Sequence, residues 1–179
     1  MKYKTVYLDM DGTLADFAGA AVTLVGFSGA EFKDLNILSP QQKAQQKILF
    51  DAIDNNPDFF ETEQPYFYTA ELYNICRDVF DDVVILSNYR APAGRPHLFQ
   101  TVCNYKIDWV HKYVDARMPK SKIIVTESPK YNFANRSRWL IDDMPQNVSK
   151  WVEYGGKGIL FDNWDNVKNK LLQIKGNHK

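Results

Sequence analysis

Polar side chains that could react with a substrate or bind a metal follow three short apolar runs of this sequence, where each run ends. These side chains are Asp9 and Asp11 after residues 5–8, Ser87 and Asn88 after residues 83–86, and Asp142 and Asp143 after residues 139–141. Ligands of open parallel sheets bind at the carboxyl ends of the strands, so we expect these groups to meet at one edge. Four carboxylates repel one another there unless a cation joins them, and ligand sets made only of oxygen favour Mg²⁺ over zinc.

Five short apolar runs are typical of strands that are buried on both faces of a sheet. They span residues 5–8, 83–86, 123–126, 139–141 and 158–161. Helical patterns lie between them, the clearest of which is the stripe of Leu72, Ile75, Cys76, Val79 and Phe80. Strands that alternate with helices predict an α/β fold with a doubly wound, mostly parallel sheet.

The segment of residues 17–65 interrupts this alternation, because it contains no strand-like run. It does contain a helix start, in which Ser39 is the N-cap, Pro40 the first helical residue and Gln42 the third. We expect a small helical cap inserted after the first strand, with a core formed by residues 1–16 and 66–179. The predicted buried stripe of its main helix is Ile48, Leu49, Ala52 and Ile53.

The composition limits the classes of partner and the compartment that we expect for this protein. The 179 residues carry 22 basic and 22 acidic side chains, so no overall field attracts a nucleic-acid polymer or an anionic membrane. No apolar run reaches the roughly 18 residues of a membrane span, and no signal core follows Met1. Two cysteines favour a reducing compartment, so we expect a cytoplasmic protein. The oligomeric state stays open, a homodimer included.

The sequence of residues 9–14, DMDGTL, resembles the signature of the haloacid-dehalogenase (HAD) superfamily of phosphatases. The other family elements follow in order: a serine after the second strand, a downstream lysine and a late pair of aspartates. Segments 9–17, 56–61, 106–112 and 140–145 are similar to segments of the 5'(3')-deoxyribonucleotidases. The chain has Ser87-Asn88-Tyr89 where those enzymes usually carry Thr-Ser-Pro.

The resemblance implies a magnesium-dependent phosphatase that acts on a nucleoside monophosphate, with deoxyribonucleotides as the expected substrates. Asp9 would attack phosphorus and form an aspartyl phosphate, and Asp11 would serve as general acid and base. The metal ligands would be the Asp9 carboxylate, the Asp11 carbonyl and one aspartate of the late pair. Alignment favours Asp143, which leaves Asp142 to orient nearby groups. Asn147 matches a polar position of many relatives and could equally be a helix-surface residue.

The same resemblance implies how phosphate and base would be held. Ser87 and the backbone amides around Asn88 would donate hydrogen bonds to phosphate, and Lys130 would neutralise Asp9 and phosphate. Lys106 matches a second basic position. The family's motif places Phe17 beside the site, where its ring could stack on a base, whereas most of the other aromatic residues in and at the end of segment 17–65 are expected to form the core of the cap. These other residues are Phe27, Phe32, Phe50, Phe59, Phe60 and Tyr66.

Other functions share part of this pattern. One alternative is a HAD phosphatase of another small phosphate monoester, and a phosphomutase would use the same loop. A receiver-like signalling domain also combines clustered aspartates, a lysine and magnesium, but the order of these elements in the chain differs from the order here. A nucleotide-binding module without catalysis is disfavoured because Asp9 and Asp11 are both present.

Overall fold

The sheet has the predicted five strands, all parallel. The computed structural model describes residues 5–28 and 38–176, so Phe32 lies outside the described residues. The strands are β1 (Thr5–Leu8), β2 (Val83–Asn88), β3 (Ile123–Thr126), β4 (Arg138–Asp142) and β5 (Lys157–Leu160). They lie in the order β3-β2-β1-β4-β5. The strand order reverses beside β1, and the predicted doubly wound α/β fold is confirmed.

The described helices are α1 (Phe17–Val25), α2 (Pro40–Asn55), α3 (Phe59–Thr62), α4 (Thr69–Val79), α5 (His97–Tyr113), α6 (Pro145–Glu153) and α7 (Trp164–Gly176). Of these, α4, α5 and α7 cover one face of the sheet and α6 covers the other. Alternate residues of β1 point to opposite faces. Val6 and Leu8 pack in the cluster formed with α4, α5 and α7, whereas Tyr7 packs against Trp151 of α6 on the other face. Among the described helices, none is long and apolar enough to cross a membrane.

Segment 17–65 forms helices α1, α2 and α3 in its described part. The predicted start of α2 is confirmed: Ser39 Oγ accepts a hydrogen bond from the Gln42 backbone, and the Gln42 side chain accepts one from the Ser39 backbone. Leu49 and Ile53 are buried as predicted. The prediction for Ile48 is wrong, since this side chain is 55% exposed. Phe50 is also largely exposed rather than part of the core, because both residues lie outside the narrow stripe of α2 that Leu49 and Ile53 bury.

The cap segment is attached to the core by both apolar and polar contacts. Phe59 and Phe60 share a buried cluster with residues of the core, namely Tyr89, Leu98 and Val102. Arg95 Nη1 donates to the Asp54 carbonyl at 3.0 Å, and the Tyr89 hydroxyl lies 3.2 Å from Asp54 Oδ1. The limits of the two domains remain a prediction, but α2 and α3 pack directly against the core.

The two connections between cap and core run side by side. Ala15 pairs with Pro65, the Asp16 amide donates to the Gln64 carbonyl at 2.8 Å, and the Tyr66 amide donates to the Leu14 carbonyl at 3.0 Å. The end of the cap segment is therefore held against the loop that follows β1.

Candidate active site

The loop after β1 is a tight turn that presents Asp9 and Asp11 at the carboxyl edge of the sheet. The Met10 carbonyl accepts the amides of Leu14 and Ala15 at 2.8 and 2.9 Å. Gly12 has a φ of +81°, a backbone conformation that residues other than glycine rarely adopt. Asp9 is buried, and its Oδ1 accepts the Met10 amide at 2.8 Å. The turn thus fixes the backbone of both aspartates.

Lys130 joins Asp9 to Asp142. It begins a short 3₁₀ helix, Lys130–Phe133, and its buried Nζ donates to Asp9 Oδ1 and, at 2.7 Å, to Asp142 Oδ2. Burial by itself lowers the pKa of Lys130, but Asp142 and Asp9 outweigh it and hold that pKa above its usual value. Lys130 is therefore a buried cation at the position expected for the family lysine.

The two late aspartates have different surroundings. Asp142 is surrounded by donors: Oδ1 accepts the Met144 amide at 2.8 Å, Oδ2 accepts Lys130, and Asn147 Nδ2 lies 3.1 Å from both oxygens. Asp143 instead lies against the Gly12 backbone, where an added Cβ would be 2.5 Å from its Oδ2. Asn147 thus contacts the site through Asp142 rather than serving only as a surface residue.

Three of these carboxyl groups could hold one metal ion. Oxygen atoms of Asp9, Asp142 and Asp143 all lie within 4.8 Å of one another, and all three residues are buried. Burial and the negative charge of Asp142 and Asp143 raise the pKa of Asp9 well above its ordinary value, although Lys130 opposes them. The oxygen-only donor set fits a hard divalent cation. Such a cation would also relieve the repulsion that raises the pKa of Asp9.

Asp11 is bound by a second lysine and by the predicted serine. Lys106 Nζ, on α5, donates to both oxygens of the Asp11 carboxylate at 2.6 Å, and Ser87 Oγ, at the end of β2, donates to Oδ2 at 3.2 Å. Lys106 is completely buried, and its Nζ also lies 4.0 Å from the centre of the Phe60 ring. Lys106 and Ser87 are therefore both part of the site, and both contact Asp11.

Other predicted residues lie at the margin of the site. The exposed Asn88 uses its side chain to join β2 to the loop after β3, donating to the carbonyls of Thr126 and Ser128 at 3.0 and 2.8 Å. Phe17 is half-buried, and its ring packs edge-on against Phe59 with centres 5.3 Å apart.

One residue of the site was missed at the sequence level. Glu63 is fully buried, and among the described residues none forms a hydrogen bond with its carboxyl oxygens. Burial and the Asp11 carboxylate raise the pKa of Glu63 well above its usual value, and the Lys106 ammonium opposes them. Its backbone carbonyl accepts Trp109 Nε1 at 2.7 Å. Neither its type nor its neighbours Thr62 and Gln64 distinguish it from a surface glutamate, because its burial depends on the end of the cap segment packing against α5.

Comparisons with solved structures agree with this architecture. A hydrolase from Streptococcus pneumoniae TIGR4 is 14% identical with a TM-score of 0.52, and the match covers 96% of this chain and 99% of the hydrolase. A haloacid dehalogenase-like hydrolase from Xanthomonas campestris is 10% identical with a TM-score of 0.52, covering 99% and 95%. The putative HAD-hydrolase YfnB from Bacillus subtilis, solved with magnesium, is 16% identical with a TM-score of 0.52, covering 89% and 87%. At these identities the likeness shows the fold.

No curated protein sequence matches the chain significantly. A family model does match, over residues 3–174, and its description is "5' nucleotidase, deoxy (Pyrimidine), cytosolic type C protein". The matched range includes the loop after β1, both buried lysines and the late pair of aspartates. With this match and a HAD-type fold, the chain belongs to the deoxyribonucleotidase family of the HAD superfamily.

Proposed function

We propose that this protein is a magnesium-dependent phosphatase that hydrolyses nucleoside monophosphates, preferentially deoxyribonucleotides, through an aspartyl phosphate on Asp9. The observation that carries the proposal is the arrangement of Asp9. One of its oxygens is bound by Lys130 and the Met10 amide, and the carboxyl groups of Asp142 and Asp143 lie within metal-binding distance. Membership of the nucleotidase family supports the substrate class.

The first step forms a bond from a carboxylate oxygen of Asp9 to phosphorus and breaks the bond from phosphorus to the ester oxygen. Among the described residues, none donates a hydrogen bond to Asp9 Oδ2, so this oxygen is available as the nucleophile. Lys130 holds Oδ1 and fixes the plane of the carboxylate. Its charge also offsets the negative charge of the phosphoryl group as that group approaches.

Asp11 moves the protons. It gives a proton to the leaving oxygen in the first step and takes one from the water that attacks the aspartyl phosphate in the second, so that inorganic phosphate leaves and Asp9 is restored. Ser87 and Lys106 fix the position of the Asp11 side chain by their hydrogen bonds. In this proposal both residues also donate to phosphate oxygens once substrate is bound, as the resemblance implies.

Asp9, Asp143 and the Asp11 carbonyl would hold the metal, because the oxygens of Asp142 are occupied by Lys130, Asn147 and the Met144 amide. When bound, Mg²⁺ would neutralise phosphate charge and orient the phosphoryl group for in-line attack.

The cap segment gives the site its substrate selectivity in this proposal. Phe17 begins α1 directly after the loop that carries Asp9 and Asp11, and its half-buried ring could stack on a nucleobase. The family description names deoxynucleotides, pyrimidines and a cytosolic type, which supports a deoxynucleoside monophosphate as substrate and the cytoplasm as the location.

The order of the strands argues against a receiver-like domain. Receiver folds have the order 2-1-3-4-5, whereas this sheet has β3-β2-β1-β4-β5. The helical segment between β1 and β2 is a second difference, and the family match is a third.

The deciding experiment measures release of inorganic phosphate from ribo- and deoxyribonucleoside monophosphates, sugar phosphates and p-nitrophenyl phosphate, with Mg²⁺ and with a chelator. We expect turnover that needs Mg²⁺ and is fastest with deoxyribonucleotides. Asp9→Asn should lower it at least about a thousandfold, while the exposed Asp165→Asn serves as a control. Full activity of Asp9→Asn would remove the proposed nucleophile, and preference for sugar phosphates would remove the nucleotidase assignment. Transfer of phosphate to a second hydroxyl without release would identify a mutase.

A further inference from the structure

Four aromatic rings form a continuous row between the turn after β2 and the first residue of α1. Phe17 packs edge-on against Phe59 and Phe59 against Phe60, with ring centres 5.3 Å apart in both pairs. Tyr89 packs in the same way against Phe60, with ring centres 5.6 Å apart. Edge-to-face contact is a preferred geometry for aromatic pairs. These four residues, called the aromatic row below, join the core to the cap segment.

Tyr89 is the fixed end of the aromatic row. Its backbone amide donates to the Thr126 carbonyl at 3.1 Å, and its hydroxyl donates to Asp54 Oδ1 at 3.2 Å. Asp54 is itself held, because Arg95 Nη1 donates to the Asp54 carbonyl and to Asn55 Oδ1, both at 3.0 Å. The Tyr89 ring is buried, so these bonds at its two ends leave it little freedom to turn.

The two middle rings are confined on their other sides. Phe59 and Phe60 are 3% and 4% exposed, and side chains of α5 belong to the same buried cluster. Lys106 Nζ also lies 4.0 Å from the centre of the Phe60 ring. Because protein interiors are close-packed, a ring in such a position cannot move without moving its neighbours. A shift of Tyr89 would therefore reach Phe59 through Phe60.

Phe17 is the half-buried end of the row. Its backbone is fixed where α1 begins, since its amide donates to the Ala15 carbonyl and the Asp16 side chain accepts the Gly19 amide, both at 2.9 Å. The remaining freedom of Phe17 is the rotation of its side chain, and the contact with Phe59 restricts that rotation. The orientation of the Phe17 ring beside the loop after β1 therefore depends on the aromatic row.

We propose that Tyr89 is a positioning residue for the nucleobase, which acts through the aromatic row by setting the orientation of the Phe17 ring on which the base stacks. The inference rests on the proposed function, in which the substrate is a nucleoside monophosphate. Tyr89 itself touches no reacting atom. Proline, the residue that the deoxyribonucleotidases usually carry here, has no hydroxyl, aromatic ring or backbone N–H, so it could form none of these contacts.

A substrate without a base separates this role from effects on catalysis. Thymidine 5'-monophosphate and 1,2-dideoxyribose 5-phosphate have the same phosphate ester and the same leaving oxygen, but only the first carries a base. A change at the aspartates, the lysines or the metal alters kcat/KM for both, so it cancels in the ratio of the two values. This base ratio therefore measures what the base contributes. Base stacking on an aromatic side chain predicts a wild-type ratio of about ten to a hundred.

The test measures the base ratio in Tyr89→Phe and Tyr89→Leu. Tyr89→Phe keeps the ring and loses the bond to Asp54, so we expect the ratio to fall about threefold. Tyr89→Leu removes the ring, so we expect a fall of about tenfold. In Tyr89→Phe, kcat/KM for 1,2-dideoxyribose 5-phosphate should stay close to the wild-type value.

Tyr73→Phe is the matched control. Tyr73 is also buried, and its hydroxyl donates to Asp115 Oδ2 at 3.0 Å. It lies toward the opposite edge of the sheet, where it lines a cleft with Val83 at the start of β2 and Lys122 just before β3. This variant loses the same kind of hydrogen bond as Tyr89→Phe, so its melting temperature should fall to a similar extent while its base ratio stays at the wild-type value.

Phe17→Leu tests whether Tyr89 acts through the aromatic row. Phe17→Leu alone should lower the base ratio about tenfold. Since Tyr89 acts only by orienting Phe17 in this proposal, adding Tyr89→Leu to Phe17→Leu should lower the ratio no further. A further fall in the double variant would mean that Tyr89 acts independently of Phe17, and it would overturn the inference.

The remaining outcomes separate the inference from the proposed function. Wild-type base ratios in both Tyr89 variants, with or without equal losses on the two substrates, would give Tyr89 a merely structural role and overturn the inference while the nucleotidase assignment stands. A wild-type protein with a base ratio near one would overturn the inference and the stacking role of Phe17, but not the phosphatase activity. If the wild-type protein releases no phosphate from either substrate, the proposed function fails first and the inference fails with it.

Discussion

The Gly12 backbone and the Asp143 carboxylate are in direct contact at the carboxyl edge of the sheet. A Cβ at Gly12 would lie 2.5 Å from Asp143 Oδ2 and 2.8 Å from its Cγ, and the φ of Gly12 is +81°. Glycine at this position therefore serves two purposes, since it permits the turn that presents Asp9 and Asp11 and leaves the space that Asp143 occupies.

Gly12→Ala is expected to displace Asp143 and to abolish the response of the protein to magnesium. The strained φ should lower the free energy of unfolding by about 1–2 kcal/mol, and displacement of the carboxylate should lower phosphatase activity about a hundredfold or more. The measurements are the melting temperature and the turnover rate across a titration with Mg²⁺.

Gly94→Ala is the matched control for this prediction. Gly94 has a φ of +82°, and a Cβ added there would meet nothing within 4 Å. This variant should show the same backbone strain and keep its activity and its Mg²⁺ response. If Gly12→Ala also kept both, Asp143 would not be the ligand that we propose.

Lys130→Met is expected to destabilise the protein more than any surface lysine would. The substitution leaves Asp9 and Asp142 buried without their shared cation, and breaking a buried ion pair in this way costs about 3–5 kcal/mol. Urea unfolding measures the loss, which should become smaller in Mg²⁺ because the metal would compensate the same carboxylates. Activity should be lost in both conditions, since the positive charge beside phosphate is gone.

The control for Lys130→Met is Lys175→Met. Lys175 pairs with Asp78 at 2.7 Å, but both side chains are largely exposed, and such pairs contribute about 0–1 kcal/mol. If Lys130→Met lowered the free energy of unfolding no more than Lys175→Met does, this result would contradict the central position of Lys130 in the carboxylate cluster.

The strands and their polar ends could be predicted from sequence because each depends on local signals. Buried parallel strands appear as short apolar runs, and the carboxyl ends of such strands meet by topology alone. The predicted meeting of Asp9, Asp142 and Asp143 follows from these rules, and their oxygens do lie together. The family's motif order then indicated Lys130, although it is separated from Asp9 by more than a hundred residues.

Burial within the cap segment could not be predicted as well. Helical spacing identified the stripe that contains Leu49 and Ile53, but spacing does not say how wide the covered face is, so Ile48 was wrongly included. The burial of Glu63 was even harder to predict from the sequence pattern. Its burial arises only when the end of the cap segment packs against α5, and acidic residues in loops are exposed in most proteins.

Ser39→Ala tests whether the start of α2 affects only the stability of the fold and takes no part in binding substrate. Both hydrogen bonds of the capping box join Ser39 and Gln42 at the start of a helix that contributes no residue to the described site, and losing the Ser39 hydroxyl should cost about 1 kcal/mol. Hydrogen exchange along α2 should become faster, while kcat/KM at low temperature stays near the wild-type value. A large fall in kcat/KM with unchanged exchange would indicate that this end of α2 takes part in binding substrate.

Glu63 should make the stability of the metal-free protein fall as pH rises. Burial and the Asp11 carboxylate raise the pKa of Glu63 well above the 4.5 of the unfolded chain. Below that value both states hold the proton, and above it the unfolded state releases a proton that the folded state keeps, so unfolding becomes easier toward the folded pKa.

Glu63→Gln cannot titrate. Its advantage in free energy of unfolding over wild type should be small near about pH 4 and grow toward neutral pH by up to about 1.4 kcal/mol per pH unit. Urea unfolding at several pH values measures this difference, with the exposed Glu61→Gln as the control that should show no trend. A difference for Glu63→Gln that stays constant with pH would mean that this carboxyl group titrates normally in the folded state.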